Sequence, residues 1–166
     1  LSGGTGSVSH TEEVPSFLPD RFEPGTPNIP GILGLHAALC DLEQTDMGKL
    51  HQHELELTQY FINGLMQMDP SESTLRAIGK HNTIERTSVV SVQTLQTDMA
   101  RVAYEMDDTY GIMTRVGLHC APSAHKTLGT YPEGTIRFSF GPENTHHEVD
   151  LALHALAEIT GSPYHL

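Results

Sequence analysis

Short strands and amphipathic helices alternate in the second half of the sequence, and this alternation constrains the fold more than any other feature. Residues 87–92 and 112–116 are short runs rich in β-branched side chains, and residues 135–140 alternate in polarity, as is typical of β-strands. Amphipathic helices are predicted over residues 97–110 and after Thr145. The pattern predicts an α+β fold, a small and mostly antiparallel sheet with helices packed on one face.

Capping signals mark the ends of these helices. Gly111 follows the first one and Gly161 the second, and glycine readily adopts the left-handed conformation that stops a helix. Thr145 and Glu148 have the spacing of a capping box. The signals therefore fix the last helix at both ends.

The first half of the chain has a different character. Residues 1–29 are rich in proline and lack periodic apolar positions, which predicts a loop segment. Residues 30–69 carry helical apolar spacing, with Thr45 as the expected N-cap of a second helix that ends before Pro70. We therefore predict a loop segment (1–29), linking helices (30–69) and a C-terminal small domain (70–166).

Charge excludes two classes of partner. The chain has 9 basic and 21 acidic residues, a net charge of −12, so we expect no nucleic acid and no anionic membrane as a partner. No apolar run approaches the roughly 20 residues of a membrane span, and the start lacks the pattern of a secretion signal. Two cysteines do not make a disulfide framework. We expect a cytoplasmic protein.

Cys120 is the first candidate for chemistry. It is predicted to lie in a loop between two strands, and a thiol reacts when it is accessible and ionised. His119 and Arg115 are close enough in sequence to favour ionisation. The alternative is a loop thiol with no role. Cys40 lies on the apolar stripe of a helix and is predicted to be inert.

Arg115 and Arg137 lie inside predicted strands of this acidic chain. Arginine suits bidentate binding of a carboxylate, whereas ordinary salt bridges on a strand surface are the alternative. The sequence alone leaves both interpretations open.

The eleven histidines raise the question of a metal. The closest pairs are His51 with His53 and His146 with His147, but neighbours at these spacings do not share a helical face. No cluster has zinc-finger spacing. We therefore predict no metal site.

Four motifs resemble cysteine desulfurases, which are class V aminotransferase-like enzymes of fold-type I. The motifs are Gly3-Gly4-Thr5-Gly6-Ser7, Leu18-Pro19-Asp20-Arg21-Phe22-Glu23-Pro24-Gly25-Thr26-Pro27-Asn28, Arg115-Val116-Gly117-Leu118-His119-Cys120-Ala121-Pro122 and Glu133-Gly134-Thr135-Ile136-Arg137-Phe138-Ser139-Phe140-Gly141 with Asn144-Thr145. They occur in the family's order and cover nearly the whole chain.

The resemblance implies that this chain is the C-terminal part of an enzyme that depends on pyridoxal 5'-phosphate. The lysine that binds this cofactor would precede Leu1, so we expect the isolated chain to be inactive. Ser123-Ala124-His125-Lys126 is similar to the stretch that holds this lysine in class V enzymes. It follows Cys120 too closely, however, and Lys126 is interpreted as a loop lysine.

The resemblance also implies residue roles. Cys120 matches the nucleophile that takes sulfur from L-cysteine as a persulfide, with release of L-alanine. Arg137 matches the arginine that holds the substrate carboxylate, and Arg115 and His119 are assigned to substrate binding beside it. Gly25 and Thr26 match the pair that reaches the cofactor phosphate of the neighbouring subunit, so the resemblance implies a homodimer. A protein that accepts the sulfur is a further expected partner.

Three alternatives remain open at this point. The residues would serve equally for a selenocysteine lyase or another class V activity. The chain could also be a catalytically inactive fragment that only binds partners. A metal-binding module that uses the histidine pairs is the third alternative.

Overall fold

The computed structural model describes residues 5–8 and 10–163, and the chain forms two compact units, Leu1–Asp46 and Met47–Leu166. The first unit contains α1 (Ile29–Gln44). The second contains the remaining helices and strands: α2 (Met47–Met68), β1 (Leu75–Ile78), β2 (Val89–Thr94), α3 (Met99–Tyr110), β3 (Arg115–Gly117), α4 (Pro122–Leu128), β4 (Thr135–Ser139) and α5 (His146–Thr160). No described helix is both long and apolar enough to cross a membrane.

Local signals determine where α1 begins and ends. The Asn28 side chain accepts a hydrogen bond from the backbone N–H of Gly31 at 3.1 Å, which caps the first turn. Thr45 closes the helix, because its N–H donates to the Leu42 carbonyl and its hydroxyl donates to the Asp41 carbonyl. The prediction of Thr45 as the N-cap of the following helix was therefore wrong.

The sheet has four strands in the order β1-β2-β4-β3, and every pairing is antiparallel. This confirms the predicted α+β class. The sequence interpretation located β2, β3 and β4 but missed β1, which is only four residues long. Its alternation of Leu75 and Ala77 with Arg76 lacks the β-branched enrichment that identified the other strands.

Helix α4 was also missed. Pro122 stands in its first turn and Gly129 ends it with a left-handed φ of 70°, so both ends carry the usual signals of a helix. Lys126 therefore lies in a helix, and the prediction of a loop lysine was wrong. Its ammonium group lies 5.1 Å from the centre of the Tyr131 ring.

One face of the sheet is apolar and is covered by helices. Helices α2 and α3 pack on the strands, and α5 packs on both helices. Phe61 of α2 is fully buried, and its ring centre lies 4.7 Å from that of Phe138. Gly64 lets α2 and α5 approach closely, because a Cβ at this position would lie 2.3 Å from Leu153. The core residues of the strands all belong to this face: Leu75, Ala77, Val90, Val92, Ile136 and Phe138.

The opposite face, here called the polar face, carries the residues that alternate with the core residues. Arg115 lies opposite Arg137 across β3 and β4, and Arg76 lies opposite Gln93 across β1 and β2. Thr135 shares this face because it is two residues from Arg137 on β4.

Asp69 organises the turn between α2 and β1. Its carboxylate accepts hydrogen bonds from the backbone N–H groups of Thr74 at 2.6 Å and Leu75 at 3.0 Å, and from the Ser71 hydroxyl. Burial raises the pKa of Asp69, but these hydrogen bonds outweigh it and hold the pKa well below its usual range. The turn confirms the predicted end of the second helix before Pro70.

Candidate active site

The loop that carries Cys120 leaves the end of β3 with unusual backbone angles. Gly117 has a φ of 107°, and His119 and Cys120 have φ values of 51° and 60°. The N–H of Ala121 donates to the Leu118 carbonyl at 2.8 Å, which closes a tight turn just before α4. The turn presents Cys120 at the surface, as the sequence predicted for a reactive loop thiol.

Arg115 supports the thiol directly. Its Nη2 donates to Sγ of Cys120 at 3.8 Å. Cys40 lies instead on α1 of the first unit, where its sulfur is 3.8 Å from both ring nitrogens of His36. Cys120 is therefore the thiol that adjoins an arginine.

Arg115 and Arg137 form a pair of cations at one edge of the polar face. They lie directly opposite each other in the β3–β4 pairing. Within the described residues neither guanidinium pairs with a carboxylate, and Nε of Arg137 is buried without a hydrogen-bond partner. This arrangement disfavours the salt-bridge interpretation of the two arginines and leaves donors for an external anion.

His119 lies behind the thiol, half-buried between strand and loop. A hydrogen bond of 3.1 Å joins its Nε2 to Oγ1 of Thr135, while its buried Nδ1 has no hydrogen-bond partner among the described residues. Burial lowers the pKa of His119, and the positive charges of Arg137, His125 and Arg115 lower it further. The lowered pKa favours the neutral form of the His119 ring at pH 7.

The sequence interpretation did not single out three residues that stand behind this site. Thr135 is almost fully buried, and it holds His119. The ring centre of His125 lies 5.6 Å from that of His119, and His125 Nδ1 is 2.6 Å from Oγ1 of Thr130. The feature that points to Thr135 is the register of β3 and β4, which places Thr135 opposite Gly117, where the Cys120 loop begins.

Gly25 and Thr26 belong to the first unit. The N–H of Gly25 donates to the Thr5 carbonyl at 2.8 Å, so it is already used. A Cβ at Gly25 would meet no atom within 4 Å, and Thr26 is exposed with no hydrogen-bond partner among the described residues. The open surface and the free hydroxyl fit a phosphate oxygen.

The histidine pairs show no metal-binding arrangement. Among residues 5–8 and 10–163, no three His, Cys, Asp or Glu side chains are grouped closely enough to hold a metal ion. His53 Nε2 lies 2.9 Å from the Asn144 carbonyl, and His146 packs edge-on against Tyr60. These histidines have structural contacts instead.

A cavity of about 320 Å³ lies elsewhere in the second unit, near the end of α3 and the start of α5. Its lining includes Tyr110, Phe140 and Glu148. It contains neither Cys120 nor the residues around the thiol, which are Arg115, His119, Thr135 and Arg137. Cys120 itself is exposed.

The fold and the site define an α+β domain of the kind seen in cysteine desulfurases of known structure. The apo structure of the cysteine desulfurase from Thermococcus onnurineus superposes with a TM-score of 0.75 at 31% identity, and the match covers 97% of this chain and 38% of that protein.

Sequence comparisons agree with this class. Residues 1–152 match the family "Aminotransferase class-V", and the chain belongs to that family. A probable cysteine desulfurase of Staphylococcus epidermidis is 33% identical over 151 residues, which cover 91% of this chain and 35% of the relative. A probable cysteine desulfurase of Methanothermobacter thermautotrophicus is 32% identical over 163 residues, which cover 97% of this chain and 39% of the relative. The chain thus spans little more than a third of the length of these relatives.

Proposed function

We propose that the full-length protein is a pyridoxal-phosphate-dependent cysteine desulfurase, and that Cys120 is its sulfur-accepting residue. The observation that carries this proposal is the contact between Arg115 Nη2 and Cys120 Sγ at 3.8 Å, opposite an Arg137 without a carboxylate partner among the described residues. The names of the relatives in Staphylococcus and Methanothermobacter support the same activity.

Arg137 is proposed to hold the carboxylate of L-cysteine. Arg137 is half-buried on β4, and its buried Nε has no partner within residues 5–8 and 10–163, so a carboxylate oxygen would satisfy an unpaired donor. The role is positioning, because a fixed carboxylate places the substrate sulfur within reach of the neighbouring loop. Arg115 lies opposite on β3 and adds positive charge to the same place.

Cys120 is proposed to act as a thiolate that attacks the sulfur of the substrate. A sulfur–sulfur bond forms on Cys120 while the carbon–sulfur bond of the substrate breaks, which leaves a persulfide on the protein and releases L-alanine. Arg115 stabilises the negative charge on the Cys120 sulfur before the attack. The exposed position of Cys120 suits the later passage of this sulfur to an acceptor protein.

Pyridoxal phosphate, when bound, supplies the electron sink for the bond changes in the substrate. In this chain Thr26 is proposed to donate its hydroxyl to a phosphate oxygen, and the open surface at Gly25 allows the phosphate to approach. We further propose that Gly25 and Thr26 serve the cofactor of a neighbouring subunit, so that the protein acts as a homodimer. A thiol that must stay reduced between turnovers suits a cytoplasmic setting.

The proposed protein is divided into a loop segment, linking helices and a small domain. Residues 70–166 would form the small domain, reached through the helices of residues 30–69 from the loop segment 1–29. Helix α2 packs on the sheet of that domain, so its role includes the core as well as the connection.

The decisive experiment measures alanine release from L-cysteine by the full-length protein loaded with its cofactor. Cys120→Ala should lower the rate by at least about 100-fold, because the nucleophile is lost. Cys40→Ala is the matched control and should retain the rate within about twofold, since the proposed nucleophile is kept. Wild-type protein incubated with L-cysteine should carry one added sulfur on the peptide that contains Cys120.

Equal alanine release from the wild type and from Cys120→Ala would overturn the proposal. Efficient turnover of selenocysteine with no turnover of cysteine would replace it with a selenocysteine lyase.

A further inference from the structure

The loop at Cys120 adopts a conformation that its own residues disfavour. His119 and Cys120 both have positive φ values, 51° and 60°, and a left-handed conformation is strained for a residue other than glycine. Two consecutive residues of this kind persist only where surrounding contacts impose the geometry. The contacts that hold this loop therefore determine where the Cys120 sulfur lies.

One such contact is the hydrogen bond of 3.1 Å between His119 Nε2 and Thr135 Oγ1. It is the only hydrogen bond of the His119 side chain within the described residues, because Nδ1 has no partner. Thr135 is 1% exposed and is fixed on β4 opposite Gly117. The threonine is thus a rigid anchor, and the imidazole transmits its position to the neighbouring cysteine.

Other contacts hold the backbone next to Thr135 in place. A Cβ at Gly134 would lie 2.2 Å from the Gly117 carbonyl oxygen, so the backbone segments of β3 and β4 are in close contact where the Cys120 loop begins. Gln93 is buried on the polar face and donates from Nε2 to the Gly134 carbonyl at 3.2 Å, while its Oε1 accepts from Arg76. Side chains of β1 and β2, together with the backbone of Gly117, thus hold the start of β4.

We propose that Thr135 is a positioning residue for the Cys120 thiol and acts through His119. The hydroxyl of Thr135 holds the imidazole, the imidazole holds the strained loop, and the loop keeps the Cys120 sulfur beside Arg115. The inference rests on the proposed role of Cys120 where turnover is concerned. Its effect on the chemical reactivity of that thiol is independent of the reaction that the enzyme catalyses.

The test uses two matched pairs in the full-length protein: wild type against Thr135→Val, and Thr135→Ser against Thr135→Ala. Each pair has a similar shape and differs in the hydroxyl group. The reaction of Cys120 with iodoacetamide at pH 7 is followed by peptide mass spectrometry, and the Cys40 peptide of the same sample is the internal reference. Alanine release measured in parallel gives kcat and KM.

Without the hydroxyl, we expect alkylation of Cys120 to slow by about fivefold, because the strained loop is no longer held and the contact with Arg115 loosens. Alkylation of Cys40 should not change. The value of kcat should fall by a similar factor while KM stays within about twofold, since Arg137 is untouched. Thr135→Ser should recover both rates to within about twofold of the wild type.

Equal alkylation of Cys120 within each pair overturns the positioning role, and so does a Thr135→Ser protein that behaves like Thr135→Ala. If Thr135→Val fails to fold, the Ser and Ala pair decides by itself. A wild type that releases no alanine but shows the expected alkylation pattern refutes the proposed desulfurase function and leaves the positioning role standing.

Discussion

The two faces of the four-stranded sheet use the same strands for opposite purposes. On the core face, Val90, Val92, Ile136 and Phe138 are buried and packed against helices. On the polar face, the guanidiniums of Arg76 and Arg137 each keep a buried Nε that has no hydrogen-bond partner in the part of the chain that the structure describes. The first face gains free energy from burial, whereas the second leaves hydrogen-bonding capacity unused in this part of the protein.

The difference shows how stability and function are separated in a small sheet. Strand alternation places adjacent residues such as Ile136 and Arg137 on different faces. A change on one face can therefore leave the other almost untouched, because the two sets of side chains share only the backbone. The three predictions below test this separation.

The largest effect is expected on the core face. Phe61→Ala removes a fully buried ring that contacts Phe138 and Phe140, and it should destabilise the domain by about 4 kcal/mol. The measurement is urea unfolding of the full-length protein, with hydrogen exchange used to assign the loss to the second unit.

Tyr104→Ala is the control for Phe61→Ala, because it truncates an exposed aromatic residue of the same unit. Its cost should stay near about 0.5 kcal/mol. Equal losses for the two variants would mean that the apolar face does not provide the main stabilisation of this domain.

A smaller effect, on function and not on stability, is expected on the polar face. Arg137→Lys keeps the charge but loses the planar fork that matches a carboxylate, so KM for L-cysteine should rise by about 10- to 100-fold. The midpoint of urea unfolding should stay close to that of the wild type. Steady-state kinetics of alanine release provide the measurement.

Arg101→Lys is the control for Arg137→Lys, because Arg101 lies on α3 and pairs with Glu105 away from the site. It should leave KM unchanged. A wild-type KM in Arg137→Lys would remove this residue from substrate binding and restore the interpretation of a merely structural arginine.

The smallest effect is a change in how stability depends on pH. Burial and nearby cations lower the pKa of His119 in the folded protein, whereas in the unfolded chain the pKa is the ordinary value of about 6.5. Below that pH the unfolded state takes up this proton first, so stability is lost as pH falls toward the folded pKa. Well above pH 7, His119 is unprotonated in both the folded and the unfolded state, so it no longer makes the stability depend on pH.

His119→Gln should therefore lose less stability than the wild type between about pH 7.5 and pH 5. Thermal unfolding across this range measures the difference, and His154→Gln on the exposed side of α5 controls for the loss of an imidazole. Parallel pH curves for the wild type and His119→Gln would contradict the buried, neutral state of His119.

Sequence reasoning succeeded where local chemistry determines structure. The capping box at Thr145 and Glu148 is present, with the Thr145 side chain accepting from the Glu148 N–H. Gly111 and Gly161 both adopt the left-handed conformation expected of helix ends. These features depend on neighbours in sequence, so the sequence contains the whole signal.

The missed features depend on contacts between distant residues. Strand β1 is defined by its pairing with β2, and four residues carry too little periodicity to predict it. The bond between His119 and Thr135 spans the whole of α4, so no local pattern indicates it. Cys120, Arg115 and Arg137 could be singled out from sequence because their types suit the chemistry, but their proximity required the β3–β4 register.

The pairing of Gly117 with Thr135 also determines where this protein can change in length during evolution. An insertion or deletion at the exposed tip of α4, near Lys126 and Gly129, leaves Arg115 opposite Arg137. Loss or gain of a single residue inside β3 or β4 would turn one of the two arginines toward the helices. We therefore expect the tip of α4 to accept an inserted segment or an engineered tag, whereas a change in the length of either flanking strand should disrupt the site.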